Sequence, residues 1–189
     1  MVPGSASIEK LINGCRKDSW QHKERLYKSY YGYIKAVTVR YINNFHEAEE
    51  LINDSFLKIF NNLSQFNYDD SANDVELSFR SWIGRIASRT AIDYLRKKNT
   101  EFKTDEISEN HVPGQISNND FLNSAKDIIK ILNTLPETYR AVFNMYVVEG
   151  FSHEEISKIL GISESVSRVY LSRAKNKLKD LYIKHFNEL

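Results

Sequence analysis

The sequence predicts an all-α chain folded as two small helical domains joined by a flexible linker. Three observations carry this reading. Three prolines and seven glycines in 189 residues leave long stretches free of the residues that punctuate helices. Apolar residues recur at three- and four-residue intervals over most of the length. The periodicity then fails from Asn99 to about Asn119. Pro113-Gly114 and Ser117-Asn118-Asn119 sit there near Glu101, Asp105, Glu106 and Glu109, a polar stretch unable to bury a face. The expected divisions are residues 8–98, a linker over 99–119 and a second helical block over 120–189.

Ile8, Leu11, Ile12, Cys15, Leu26 and Tyr30 fall at helical spacing through residues 8–29. Tyr30 to Tyr41 is rich in aromatic and β-branched residues and continues as helix, until Asn43 and Asn44 break it. From His46 to Leu63, Ala48, Leu51, Ile52, Phe56, Ile59, Phe60 and Leu63 recur at helical intervals. Residues 64–78, with Ser64, Asn67, Asp69, Asp70, Ser71, Asn73 and Asp74, read as a loop. Phe79 to Lys98 is helical again, and no repeat of fixed period is visible.

Composition excludes several classes. Apolar residues at 41% and charged residues at 27% suit a soluble folded protein. Cys15 is the only cysteine, so neither a disulfide within the chain nor a thiolate cluster can form. No run of eighteen apolar residues exists, and Met1 to Ser7 lacks a signal-peptide pattern, so the expected compartment is the cytoplasm. His22, His46, His111, His153 and His185 are scattered, and no metal-ligand pair, glycine-rich phosphate loop or nucleophile motif appears. The expectation is a non-enzyme with no cofactor, no metal and no small-molecule substrate. The net charge of +1 argues weakly against nucleic-acid binding for the chain as a whole, but the charges are segregated.

Ser152-His153-Glu154-Glu155 has the form of a capping box, in which hydroxyl and carboxylate satisfy each other's backbone N–H groups. Ile156, Ile159 and Leu160 follow, then Gly161 for a left-handed helix end, an inward Ile162, and Ser163 to cap the next helix. This is a helix-turn-helix pattern. Ser167, Leu171, Ala174, Leu178 and Leu181 make one stripe of the second helix; Arg168, Ser172, Lys175 and Lys179 make another. The second stripe is either a major-groove face or an ordinary solvated one.

Phe79 to Lys98 holds six basic residues, Arg80, Arg85, Arg89, Arg96, Lys97 and Lys98, against the single acid Asp93. Arg85, Arg89 and Arg96 share a narrow face; Ile83, Ile86, Ala87, Ala91, Tyr94 and Leu95 cover the opposite side. Arginine suits phosphate by its planar, multidentate head. Trp82 lies between the faces and is either a support for unstacked bases or a core residue. The preceding helix has the opposite sign, with Glu47, Glu49, Glu50 and Asp54, either a solvated face or one that meets a basic protein surface.

Together these pieces resemble extracytoplasmic-function sigma factors over residues 8–183. Glu47-Ala48-Glu49-Glu50-Leu51-Ile52-Asn53-Asp54-Ser55-Phe56-Leu57-Lys58-Ile59-Phe60 is similar to the family's region 2.2, with Asn53-Asp54 where Gln-Glu is usual. Phe79 to Lys98 resembles regions 2.3 and 2.4. Leu135-Pro136-Glu137-Thr138-Tyr139-Arg140 resembles the opening of region 4, and Glu149 to Lys175 its helix-turn-helix.

The resemblance implies a region 2 domain over 8–98 and a region 4 domain over 120–189. It implies that Glu47, Glu50, Leu51, Asn53, Asp54 and Leu57 meet the β′ clamp helices of core RNA polymerase, and that region 4 packs near the β flap. Arg80, Trp82, Arg85, Arg89, Arg96, Lys97 and Lys98 would serve the −10 promoter element. Ser165, Arg168, Val169, Ser172, Arg173, Lys175 and Lys179 would serve the −35 element. Promoter DNA, core polymerase and an anti-sigma factor are the implied partners. The rival reading is a helix-turn-helix regulator that binds an operator without polymerase.

Overall fold

A computed structural model describes residues 5–68, 74–98 and 131–187. All regular structure among them is helical. The chain divides into two compact units, Met1–Ala91 and Ile92–Leu189. The boundary falls inside a helix rather than at its end, earlier than residue 98. The expected linker over 99–119 and the start of the second block at 120–130 lie outside the described residues.

The first unit holds α1 (Ser5–Arg16), α2 (Trp20–Thr38), α3 (Phe45–Asn62) and most of α4 (Val75–Lys98). The helical spacing through residues 8–29 belongs to two helices, not one. Ser19 N–H donates to Gly14 C=O and Asp18 N–H to Cys15 C=O, at 3.1 and 3.0 Å. This is the paired hydrogen bonding of a Schellman helix end. Its left-handed residue is Asp18, at φ 59°, the only non-glycine residue with positive φ among those described. An aspartate tolerates that conformation better than most residues, and with no glycine to mark it the turn is silent in the sequence.

α3 starts at Phe45, one residue before the expected His46, because the Asn44 side chain caps it, accepting from the N–H groups of His46 and Glu47, at 2.9 and 3.2 Å. The expected loop over 64–78 needs correction at both ends. Leu63–Gln65 forms a short 3-10 turn, and Phe66 is buried. α4 begins at Val75, four residues before Phe79, because Asp74 Oδ1 accepts from Leu77 N–H at 3.1 Å. Residues 69–73 lie outside the described residues.

The core of this unit is aromatic. Phe79 of α4 meets Tyr30 of α2 edge-on at 5.2 Å and Phe66 at 5.2 Å. Ile8, Leu11, Leu26, Ile34, Ile52, Phe56 and Ile59 of the same unit are also fully buried. Each such side chain contributes about 1.5–3 kcal/mol by leaving water. Arg16 closes the open end of the 3-10 turn, donating to the carbonyls of Leu63, at 3.1 Å, and Phe66.

The second unit contains helical residues 131–133, α5 (Glu137–Phe143), a π-helical turn over Asn144–Val148, α6 (His153–Leu160) and α7 (Glu164–Asn187). α7 packs on both α5 and α6. Leu132, Leu135 and Ala174 are buried together, with Tyr139, Phe143 and Leu178 against them.

Gly14 sits inside α1, where glycine costs about 0.5–1 kcal/mol relative to alanine. A Cβ there would lie 2.2 Å from the His22 ring, which is held by a 2.7 Å hydrogen bond to Ser19. Gly14→Ala is therefore expected to destabilise the chain by about 1–3 kcal/mol, as overpacking does. Thermal melting checks this, and adding His22→Ala should recover most of the loss. An unchanged melting temperature for Gly14→Ala would refute the close approach.

Candidate nucleic-acid interfaces

In the second unit the turn between α6 and α7 follows its sequence signature. Ser152 Oγ accepts from Glu155 N–H at 3.1 Å, and Glu155 Oε2 accepts from Ser152 N–H at 2.9 Å. Gly161 ends α6 at φ 71°, with its N–H on the Ser157 carbonyl. Ser163 Oγ accepts from Val166 N–H at 3.2 Å, capping α7. Ile162 is half-buried.

The faces of α7 sort as the spacing predicts. Ser167, Leu171 and Ala174 are buried. Ser165, Arg168, Val169, Ser172, Lys175 and Lys179 are exposed along one side, so hydroxyls and cations stand together there. Arg168 forms an exposed ion pair with Glu164 one turn earlier, at 3.0 Å. Arg173, also exposed, turns away from that side and donates to Tyr139 Oη at 3.1 Å.

His153 is the residue that sequence reading underrated. It opens α6, and its ring is buried. Nδ1 shares a 2.8 Å hydrogen bond with Ser167 Oγ, and the ring stacks on Tyr146 of the π-helical turn at 4.4 Å between centroids. No short-range pattern signals a contact between residues fourteen positions apart.

In the first unit, the buried residues of α4 include Phe79, Ile83, Ala87 and Ala91. Arg85 is half-buried; Arg89, Arg96, Lys97 and Lys98 are exposed. Positions 85, 89 and 96 share one side of this continuous helix. Two members of the expected −10 set are engaged inward. Arg80 lies 4.7 Å over the Tyr33 ring. It also faces Glu76, whose carboxyl is pushed up by burial while Tyr30 and Arg80 oppose the rise. Trp82 is half-buried against Phe66 and Phe79, at 5.3 and 5.9 Å, which favours the core alternative for it. Lys58 of α3 donates to Thr90 of α4 at 3.1 Å, joining the two helices.

α3 presents Glu50, Asn53, Asp54 and Leu57, the last 60% exposed; Glu47 is half-buried. Leu51 departs from the expectation of a partner contact. It is only 6% exposed, so it anchors α3 within the bundle. Glu49 is likewise withdrawn: Tyr31 Oη and Lys35 Nζ donate to it at 2.7 and 2.9 Å. Those bonds, Tyr31 first, hold its carboxyl below the usual range. Tyr27 Oη donates to Asn53 at 3.0 Å.

No cluster of three metal-ligating side chains occurs among the described residues, and no described helix is long and apolar enough to cross a membrane.

Burial holds the pKa of His153 below its ordinary 6.5; Arg168 and Lys175 push the same way and Glu164 opposes them. The unfolded chain therefore takes up this proton first on acidification. The stability that His153 contributes is complete above its unfolded pKa of about 6.5 and is lost as pH falls through the lower folded value. The fall in melting temperature between pH 7.5 and 5 should be smaller for His153→Phe than for the unsubstituted chain. Equal falls would show that this ring does not titrate on unfolding.

Comparison with known proteins finds two matching segments in the chain. Residues 26–101 match the model for Sigma-70 region 2, and residues 125–178 that for Sigma-70, region 4. The RNA polymerase sigma factor SigZ of Bacillus subtilis is 30% identical over 160 residues, covering 84% of this chain and 85% of that protein. The ECF RNA polymerase sigma factor SigE of Mycolicibacterium smegmatis is 26% identical over 196 residues, covering 98% of this chain and 70% of that one. Among solved structures, the sigma factor RpoE of Bartonella quintana, in complex with the anti-sigma factor NepR, has a TM-score of 0.50 at 21% identity. It covers 84% of this chain and 95% of that one, a likeness of fold. With regions 2 and 4 in order and relatives along nearly its whole length, the chain belongs to the extracytoplasmic-function sigma factors of the sigma-70 family.

Proposed function

We propose that this chain is a promoter-specific initiation factor that binds core RNA polymerase and directs it to −10 and −35 elements. The observation that carries the reading is the sorting of α7, whose buried stripe leaves Ser165, Arg168, Val169, Ser172, Lys175 and Lys179 together on the outside, at the end of a capped helix-turn-helix. Such a face fits the major groove, with residues near the helix N-terminus reaching bases and later ones reaching phosphate. Arg168 is the base-reading candidate; Lys175 and Lys179 are phosphate-binding candidates.

Arg85, Arg89, Arg96, Lys97 and Lys98 supply the phosphate grip at the −10 element, with Arg80 and Trp82 behind them shaping that surface. The exposed edge of α3, with Glu50, Asn53, Asp54 and Leu57, is the candidate contact for the β′ clamp helices. Leu51 and Glu49 support it from inside. Region 2 is assigned to residues 8–98, and region 4 to residues 120–189, with the β flap as its further contact. The chain works by binding rather than by catalysis, in the cytoplasm, where polymerase is. The Bartonella relative's complex with NepR supports an anti-sigma partner here as well. The match to both sigma regions disfavours the operator-binding rival, which leaves the α3 edge without a role.

With purified core polymerase, the chain should support run-off transcription from specific promoters, while alone it binds DNA weakly and in a salt-sensitive way. Arg168→Ala should cost about 1–3 kcal/mol on the preferred promoter and relax preference at one −35 position. Lys175→Ala should weaken all promoters alike and reduce the salt slope by about one. Leu57→Ala should weaken core binding without altering promoter preference. Tight sequence-specific binding by the chain without polymerase would contradict the reading.

A further inference from the structure

α6 and α7 are joined by a three-residue turn, and a turn is a hinge unless something else fixes the angle. Gly161 supplies the turn, and beyond its chain neighbours nothing lies within 4 Å of the Cβ it lacks. A second tie lies elsewhere. His153 stands at the opposite end of α6, about 10 Å along the helix from Leu160 at 1.5 Å per residue. There its ring meets Ser167, one turn into α7.

Both partners are themselves immobilised. The capping box fixes the backbone at the start of α6, and Tyr146 covers one face of the His153 ring. Ser167 is fully buried on the inner side of α7 and is the neighbour of Arg168. Together with the apolar packing of Leu171 and Ala174, this bond gives α7 a directional tie to α6 at the end away from the turn, close to Arg168. A buried hydrogen bond does this with more directional constraint than an apolar contact, because it weakens steeply as its angle departs from linear.

We propose that His153 is a positioning residue for −35 recognition, holding α7 through Ser167 so that Arg168 and its exposed neighbours face the groove in one orientation. This rests on the promoter-reading function above. The interaction requires a group that stands where Nδ1 does and can bond to a hydroxyl; it does not require an imidazole as such.

The test is run-off transcription by reconstituted holoenzyme on promoters with a fixed −10 element and varied −35 elements. His153→Phe keeps a ring against Tyr146 and removes the hydrogen bond. Ser167→Ala removes the same bond from the other side with little change in volume. Each should lower the ratio of preferred to disfavoured −35 promoters about tenfold, the effect of losing one buried hydrogen bond. Binding to core polymerase and preference among −10 variants should stay unchanged. The double variant should be no worse than the poorer single one. His153→Asn, whose amide nitrogen stands near the Nδ1 position, should restore most of the discrimination, which a simple loss of stability would not allow. A folded Ser167→Ala protein with undiminished −35 discrimination would overturn the proposal, as would additive losses in the double variant or no rescue by His153→Asn. If the unsubstituted holoenzyme itself shows no −35 preference, the promoter reading fails and takes the proposal with it.

Discussion

Burial of one stripe on a helix leaves the remaining positions few directions to face, and both candidate interfaces of this protein depend on that constraint. Along α4, Phe79, Ile83, Ala87 and Ala91 are sealed in the interior, and along α7 Ser167, Leu171 and Ala174 are. With about 100° between successive residues, Arg89 on the one helix, and Arg168, Ser172, Lys175 and Lys179 on the other, must then stand outside. The charge of the whole chain is +1, but charges in physiological salt act over about 8 Å, so local density governs phosphate attraction. A nearly neutral protein can therefore carry two cationic faces.

The same geometry separates acids that the sequence places side by side. Glu49 and Glu50 are adjacent in α3. Glu49 turns to Tyr31 and Lys35 and ties α3 to α2, while Glu50 stands in solvent. Tyr27 steadies Asn53 in a similar way. Leu51 lies inside and Leu57 outside, although both are leucines at helical positions. The candidate polymerase edge is thus narrower than the acidic run suggests, and it combines carboxylates with one apolar side chain.

The helix-turn-helix adds a different kind of constraint. Its first helix, α6, has only eight residues, so satisfied ends matter more there than length. Ser152, Glu155, Gly161 and Ser163 each answer a backbone group that the helix cannot satisfy for itself. His153 and Ser167 then link the two helices from within, beneath Tyr146. The π-helical turn over Asn144–Val148 brings Tyr146 to that position and leaves Val147 and Val148 exposed beside it.

The all-α class, the capping box, the glycine turn and the division of α4 and α7 into faces were readable from the sequence alone, and so was the family. The box, the turn and the faces are each encoded within a few consecutive residues, where helical spacing and capping chemistry are local, and the class and the family follow from the order of such local pieces along the chain. What only the tertiary structure decided involves partners distant in the chain or conformations without a residue signature. Asp18 closes α1 in the left-handed region without glycine. Phe66 and Trp82 meet beside Phe79, drawing an apparent loop residue and a candidate base-stacking residue into one aromatic cluster. Arg80 finds Tyr33, Glu49 finds Lys35, and His153 finds Ser167. Periodicity tells which side of a helix is buried, but the side chain that waits on the neighbouring helix is set by packing, and packing is where this chain chooses which of its polar residues remain available to a partner.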